Sequence, residues 1–210
     1  MPGPPARSRI FLLSPANAGG ERARLVFNER AQFDLAVKLR EQGAEIGEVF
    51  SFVSGLYFRG KLAYARAFAN PPPGVPGALV ITHGAGLVPP ETVDTAAQLR
   101  AIAAIPIDPA DARYRAPLER DAQLISNAAG PDCDFVLLGS IASSRYYDPL
   151  VGVLGDRLYF PEEFVGRGDM SRGGLMLRCV RAGVELNYTK LAGAVRHGAR
   201  PPKLPKLRRE

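Results

Sequence analysis

The sequence predicts an α/β protein: one domain on a mostly parallel, Rossmann-like sheet with helices on both faces. Short apolar, β-branched runs alternate along the chain with segments of helical spacing. At 210 residues the chain can bury one sizeable core. Hydrophobic residues make up 46% and charged residues 23%, an ordinary globular balance that argues against global disorder. The predicted organisation is a flexible N-terminus over 1–8, the α/β domain over 9–198 and a basic, Pro-rich tail over 199–210.

Arg9-Ile10-Phe11-Leu12-Leu13-Ser14 reads as a first, buried strand that ends at Pro15. A helix follows within Asn28–Gln42, with Phe33, Ala36, Val37 and the Arg40 stem on one face and Gly43 as its stop. Val49–Val53 is a short apolar run that predicts a strand. Phe58–Ala69 is helical, with Phe58, Leu62, Ala65 and Ala69 in line and Lys61 and Arg66 left to reach elsewhere, until Asn70-Pro71-Pro72-Pro73-Gly74 ends it. Ala78–Thr82 is the clearest strand and Asp111–Ala129 the clearest long helix, with Pro117 implying a late start or a kink. Asp134–Leu138 is another buried strand; a helix around Ser144–Leu154 and a strand at Arg157–Phe160 follow. The spacing then predicts a helix from Ser171 to Ala182, capped by Gly183, and an alternating strand over Val184–Leu191.

The formal charge of +6 suggests a nucleic-acid partner until it is located. From Arg200 onward five basic residues face one acid, and Arg7 and Arg9 supply the remainder, so residues 10–199 are neutral overall. No apolar run approaches the ~20 residues that span a bilayer, and Met1–Leu13 lacks the apolar core of a secretory signal. A cytoplasmic protein with no membrane partner is the expectation. Cys133 and Cys179 are expected as buried packing residues rather than a disulfide. Two histidines are too few for a His-rich metal cluster, and no motif names a cofactor.

In an open parallel sheet, ligands collect at the carboxyl ends of the strands. Those ends read Ser14-Pro15-Ala16-Asn17, then Thr82-His83-Gly84-Ala85-Gly86, then Gly139–Arg145, then Gly166–Gly174. All four are small, polar or glycine-rich. Gly139, Ser140, Ser143 and Arg145 offer hydroxyls, amides and a counter-charge for an anion, although Ser is also a preferred helix cap. Arg167, Gly168, Ser171 and Arg172 form a second basic helix start, and the backbone entropy of its glycines suggests a ligand as the reason for them. Neither stretch carries the endings of a Walker A loop or the spacing of a dinucleotide fingerprint. His83 and Asp169 are the acid–base candidates, with Glu91 and Asp94 close downstream of His83. Tyr57, Phe58 and Tyr64 interleave with Arg59, Lys61 and Arg66 as on nucleic-acid surfaces, a pattern that amphipathic packing explains equally well.

Leu12-Leu13-Ser14-Pro15-Ala16 resembles the opening Ile-Ser-Pro-Ala of the YaaA-like peroxide-stress proteins, and Arg167-Gly168-Asp169-Met170-Ser171-Arg172 is similar to their Ala-Arg-Gly-x-Met-x-Arg. Ser54–Ala65, Gly86–Val93 and Gly139–Leu150 look like segments of small α/β proteins grouped near that family. The resemblance implies a YaaA-like α/β fold and, for some members, DNA binding linked to oxidative stress. The chain departs from it at Asn17, where a lysine usually follows Ser-Pro-Ala.

Together these readings lead to the expectation of a phosphate-bearing ligand, a phosphorylated small molecule or a nucleic acid, at the strand carboxyl edge. Ser14, Asn17, Gly139, Ser140, Ser143, Arg145, Arg167, Gly168, Ser171 and Arg172 would hold it, with Arg59 and Lys61 flanking. An enzyme of this kind would act on a nucleoside or nucleotide. The alternatives are a non-enzymatic DNA- or RNA-associated stress module and an interaction subunit whose tail docks a protein partner.

Overall fold

Ile10, Phe11, Leu12 and Leu13 are all buried, which a strand achieves only when both of its faces are covered. They form β1 (Ser8–Leu13) at the middle of a sheet in a computed structural model that describes residues 7–17 and 19–204. The chain continues through α1 (Glu21–Val26), α2 (Asp34–Glu41), β2 (Ala44–Glu45), α3 (Ile46–Ser54), α4 (Leu56–Phe68), β3 (Ala78–Ile81), β4 (Leu87–Val88) and β5 (Val93–Asp94). It then forms α5 (Ala96–Ala103), α6 (Ala112–Ala129), β6 (Cys133–Leu138), α7 (Ser144–Leu154), β7 (Leu158–Pro161), α8 (Asp169–Ala182) and β8 (Tyr188–Lys190).

The main sheet has the order β4-β3-β1-β6-β7-β8. Its four central strands are parallel, and the two edges, β4 and β8, are antiparallel additions. Strands β2 and β5 pair separately as a two-stranded ribbon. Residues of β1 alternate between two cores. Phe11 and Leu13 pack with residues of α2, α3, α4 and α8, whereas Ile10 and Leu12 pack with those of α6 and α7. The fold is therefore α/β with a mostly parallel sheet covered on both sides. No helix among the described residues is long and apolar enough to cross a membrane.

Several expectations change. The run Val49–Val53 lies inside α3 rather than in a strand, because Ile46, Gly47, Val49 and Phe50 bury one helical face. Helix α8 starts at Asp169, with Gly168 at the cap position, so Ser171 sits in its first turn and caps nothing. The segment Val184–Leu191 reduces to the three residues of β8, and Val184 is exposed. Ser8 belongs to β1, which shortens the expected N-terminal arm; residues 1–6 lie outside the described residues. The basic tail is described as far as Leu204 and has no helix or strand there. Arg200–Leu204 share a groove of about 380 Å³ with Arg167, Met170 and Arg178, while 205–210 fall outside the description. Cys133 and Cys179 are both free thiols, the first buried and the second half-buried.

One packing detail decides where the site lies. Helices α4 and α8 meet at Gly60 and Gly173. A Cβ on Gly60 would stand 2.7 Å from the Gly173 carbonyl oxygen, and one on Gly173 would stand 2.6 Å from that of Leu56 and 2.8 Å from the Cα of Tyr57. Only glycine on both helices allows this approach. It sets the buried side of α4, with Tyr57 and Lys61, against the start of α8, with Asp169 and Arg172.

Candidate functional site

From β1 the chain crosses to β3 on one side, and β6 later joins on the other. The carboxyl ends of β1 and β6 thus lie side by side, in register at Leu13 and Leu138, while their following loops diverge. Such a switch point opens a crevice in a parallel sheet. A pocket of about 410 Å³ occupies it.

The pocket gathers residues from all four strand ends. Ser14 and Asn17 follow β1, His83 follows β3, Ser140, Ser143 and Arg145 follow β6, and Asp169 opens α8. Tyr57 and Tyr146 form part of the wall. Of the residues singled out from sequence, these seven polar ones are brought together.

The others are placed differently. Arg59 lies on the exposed face of α4, because helical spacing turns it away from Tyr57 and Phe58, which are buried. Lys61 flanks nothing: it is fully buried behind Ser14. Gly139 stands behind the Ser14 side chain, where a Cβ would meet the Ser14 Cβ at 3.0 Å. Arg167, Gly168 and Ser171 line the separate groove with the C-terminal segment, and Arg167 donates to the Ser171 hydroxyl at 3.2 Å. Arg172 is buried and spends its guanidinium on the Phe164 carbonyl, at 3.2 Å from Nε and 3.0 Å from Nη2, with Asp169 at 3.5 Å. It holds the start of α8 in place instead of facing a ligand. Glu91 is paired with Arg66 on the surface, and Asp94 belongs to the small ribbon. Tyr57, Phe58 and Tyr64 are core residues, so the aromatic–basic stretch is not a stacking surface.

The electrostatics of the pocket favour an anion. Ser143 precedes α7 and Gly168 precedes α8 as cap residues, and neither accepts a hydrogen bond from its helix through a side chain. The first amides of both helices thus keep donor capacity beside the pocket, and the helix dipoles reinforce it. Arg145 makes no ion pair among the described residues. The exposed carboxylate of Asp169 is the opposing charge.

Two buried polar atoms on the wall make no well-formed hydrogen bond: the Tyr57 hydroxyl, with the Arg172 guanidinium near it, and Nε2 of His83. Burial pushes the Tyr57 hydroxyl well above its ordinary value, with the Arg172 guanidinium acting against it. His83 donates from Nδ1 to the Ile105 carbonyl at 3.0 Å. Burial lowers its pKa, opposed by the carbonyls of Ile105 and Ala16, which keeps the ring neutral at physiological pH. The ring is thus suited to proton exchange more than to holding an anion by charge. Burial likewise raises the Tyr146 hydroxyl to about 12.

Lys61 is fully buried, which its sequence neighbourhood does not announce. It donates to the Ser14 carbonyl and, at 3.0 Å, to the Ser14 hydroxyl. Its ammonium lies over the rings of Tyr57 at 4.4 Å and Phe58 at 4.8 Å. The signal that could have found it is its position four residues after Tyr57, on the apolar side of α4 and next to a glycine.

Among the described residues no group of three or more His, Cys, Asp or Glu side chains is arranged to hold a metal ion. No protein-family model, curated protein or solved structure matches the chain.

Proposed function

We propose that the protein binds a phosphate-bearing ligand, a nucleotide or the end of a nucleic acid, in the pocket at the β1/β6 crevice of a single Rossmann-like domain. The observation that carries this reading is the start of α7. Its side-chain-uncapped amides, the hydroxyls of Ser140 and Ser143, and the Arg145 guanidinium share one concave wall. The wall also leaves Tyr57 and His83 with unsatisfied polar atoms that a ligand's sugar or base would meet. DNA binding, which the family resemblance implies, is one form of this reading.

Titration with ATP and with a short single-stranded oligonucleotide tests it. A charge-assisted hydrogen bond contributes about 1.5–3 kcal/mol, so Arg145→Ala is expected to weaken binding by at least about tenfold. Ser140→Ala should weaken it less. Affinities unchanged in both variants overturn the reading.

A second reading has its own observation. Arg167, Arg178, Arg200 and Lys203 line the groove between α8 and the C-terminal segment, and no acidic residue lines it with them. A nucleic-acid-associated module would bind along this basic strip, with Lys206, Arg208 and Arg209 following it in the sequence. Deleting residues 199–210, which removes Arg200, Lys203 and the basic residues after them, discriminates. Loss of oligonucleotide affinity and a flatter salt dependence favour the strip, and retained binding with the same salt slope favours the pocket.

A further inference from the structure

Ser14 is the first residue after β1, and 4% of it is exposed. Its backbone is fixed by the hydrogen bond from its N–H to the Leu138 carbonyl at 3.2 Å, and its side chain is backed by Gly139. The hydroxyl therefore has a set position on the pocket wall, with Nζ of Lys61 3.0 Å behind it.

Lys61 is an expensive residue to place there. A fully buried ammonium costs several kcal/mol, and an apolar side chain of similar volume would fill the space without that cost. Among the described residues no carboxylate forms an ion pair with it. Its surroundings are the Ser14 carbonyl and hydroxyl at the end of β1, the ring faces of Tyr57 and Phe58 on α4, and Asp169 and Arg172 on α8. Strand β3 contributes no titratable group, and Glu48 of α3 is paired with Lys38 at the surface. Burial brings the Lys61 pKa down to about 7, with Asp169 opposing and Arg172 reinforcing, so much of the amine is neutral at physiological pH. The Tyr57 hydroxyl, on a residue 6% exposed that lines the same pocket, makes no well-formed hydrogen bond and leaves polar capacity there for a ligand.

We propose that Ser14 and Lys61 are a nucleophile–base pair that transfers a phosphoryl group from the bound ligand to Ser14 Oγ and then to water. This rests on the phosphate-bearing ligand proposed above. In the first half, the neutral Lys61 amine takes the Ser14 hydroxyl proton as Oγ bonds to phosphorus. The bond from phosphorus to the leaving oxygen breaks on the side opposite Oγ, and that oxygen takes a proton from water in the pocket, while Lys61 keeps the serine proton. In the second half, water attacks the phosphoserine from the open pocket and its proton goes to the hydroxide left there by the first half. The phosphorus–Oγ bond breaks, and the Lys61 ammonium returns its proton to Ser14 Oγ, which restores the starting pair. The α7 amides and Arg145 share the wall on which the phosphoryl oxygens would rest.

A fluorophosphonate tests this on the full chain without knowledge of the natural ligand. Ser14 Oγ displaces fluoride from phosphorus, and mass spectrometry of the intact protein and its peptides locates the adduct. The expected result is a single adduct on Ser14, absent in Ser14→Ala. Its rate of formation should rise about tenfold between pH 6 and pH 8, as a base titrating near 7 loses its proton. Lys61→Met, with its fold checked by thermal melting, should label at least about tenfold more slowly. Should that variant fail to fold, the wild-type pH profile decides alone. No adduct on Ser14, or a rate that stays flat over this range, overturns the proposal. ATP added before the probe separates the two readings: protection supports both, and labelling of Ser14 that ATP leaves untouched supports an activated Ser14–Lys61 pair while overturning a nucleotide as its phosphoryl donor. Nucleotide binding without any Ser14 adduct overturns the pair alone.

Discussion

Gly173→Ala is expected to lower the unfolding free energy by about 1–3 kcal/mol, the usual cost of forcing extra volume into a packed contact. The sign runs against helix propensity, since alanine normally exceeds glycine by about 1 kcal/mol inside a helix. The reason is the backbone of α4: a Cβ on Gly173 would stand 2.6 Å from the Leu56 carbonyl oxygen and 2.8 Å from the Tyr57 Cα, and neither can swing aside as a side-chain tip would. Gly152→Ala in α7 is the matched control. Nothing lies within 4 Å of its Cβ, so propensity should prevail and raise stability by up to about 1 kcal/mol. Urea unfolding of both variants measures the contrast. Gly173→Ala should also weaken ligand binding, because widening the helix contact moves Tyr57 and Lys61 away from Asp169. A Gly173→Ala protein as stable as the wild type would show that the two helices are not held apart by these atoms.

Lys61 produces a pH dependence of stability that few buried residues can. In the unfolded chain its amine keeps its proton to about pH 10, whereas in the folded protein it releases it near 7. Between those values the unfolded state binds more protons, so stability rises with pH, at a limiting slope of about 1.4 kcal/mol per pH unit. From pH 7 to pH 9 the wild type should gain about 2 kcal/mol from this group, and Lys61→Met should lack that gain. Cys133 acts in the opposite sense at higher pH: burial raises its thiol to about 11, so stability is lost as the unfolded thiol ionises. The difference between wild type and variant removes that shared contribution. Parallel stability curves for the two proteins over pH 7–9 would mean that Lys61 keeps its proton in the fold.

Much of the architecture was legible because the central strands announce themselves. Ile10–Leu13, Leu79–Ile81 and Phe135–Leu138 are short, apolar and bounded by turn residues, and the chemistry at their carboxyl ends follows from sheet geometry. Val49–Val53 shares that local character, and only the burial of Ile46 and Gly47 on the same face makes it helical. The edges are legible only in part: β4 has two residues, too few to carry a period, and β8 keeps three of the residues whose alternation predicts a strand over Val184–Leu191. In the site, the pocket hydroxyls, His83 and Asp169 could be placed from strand ends alone. The Gly166–Gly174 stretch could not, because its glycines suggest an anion cradle, while Gly173 is there to let two helices touch. A residue whose role depends on a helix more than a hundred positions away leaves no local mark. The burial of Lys61 and Arg172 follows from that contact, whereas their sequence pattern suggests cations facing a ligand.

The position of β1 has a consequence for synthesis. Its two neighbours are β3, which starts at Ala78, and β6, whose Cys133 lies opposite Ser8. A chain emerging from the ribosome can pair the first side of β1 early, but its second side waits for residues made roughly 125 positions later. At ~5–20 residues per second that interval is of order ten seconds. Throughout it, the nascent protein carries an unpaired strand edge of almost wholly apolar sequence, Ile10-Phe11-Leu12-Leu13, at what will be its centre. The strand that anchors the finished sheet is thus the one most in need of protection while the sheet is being made.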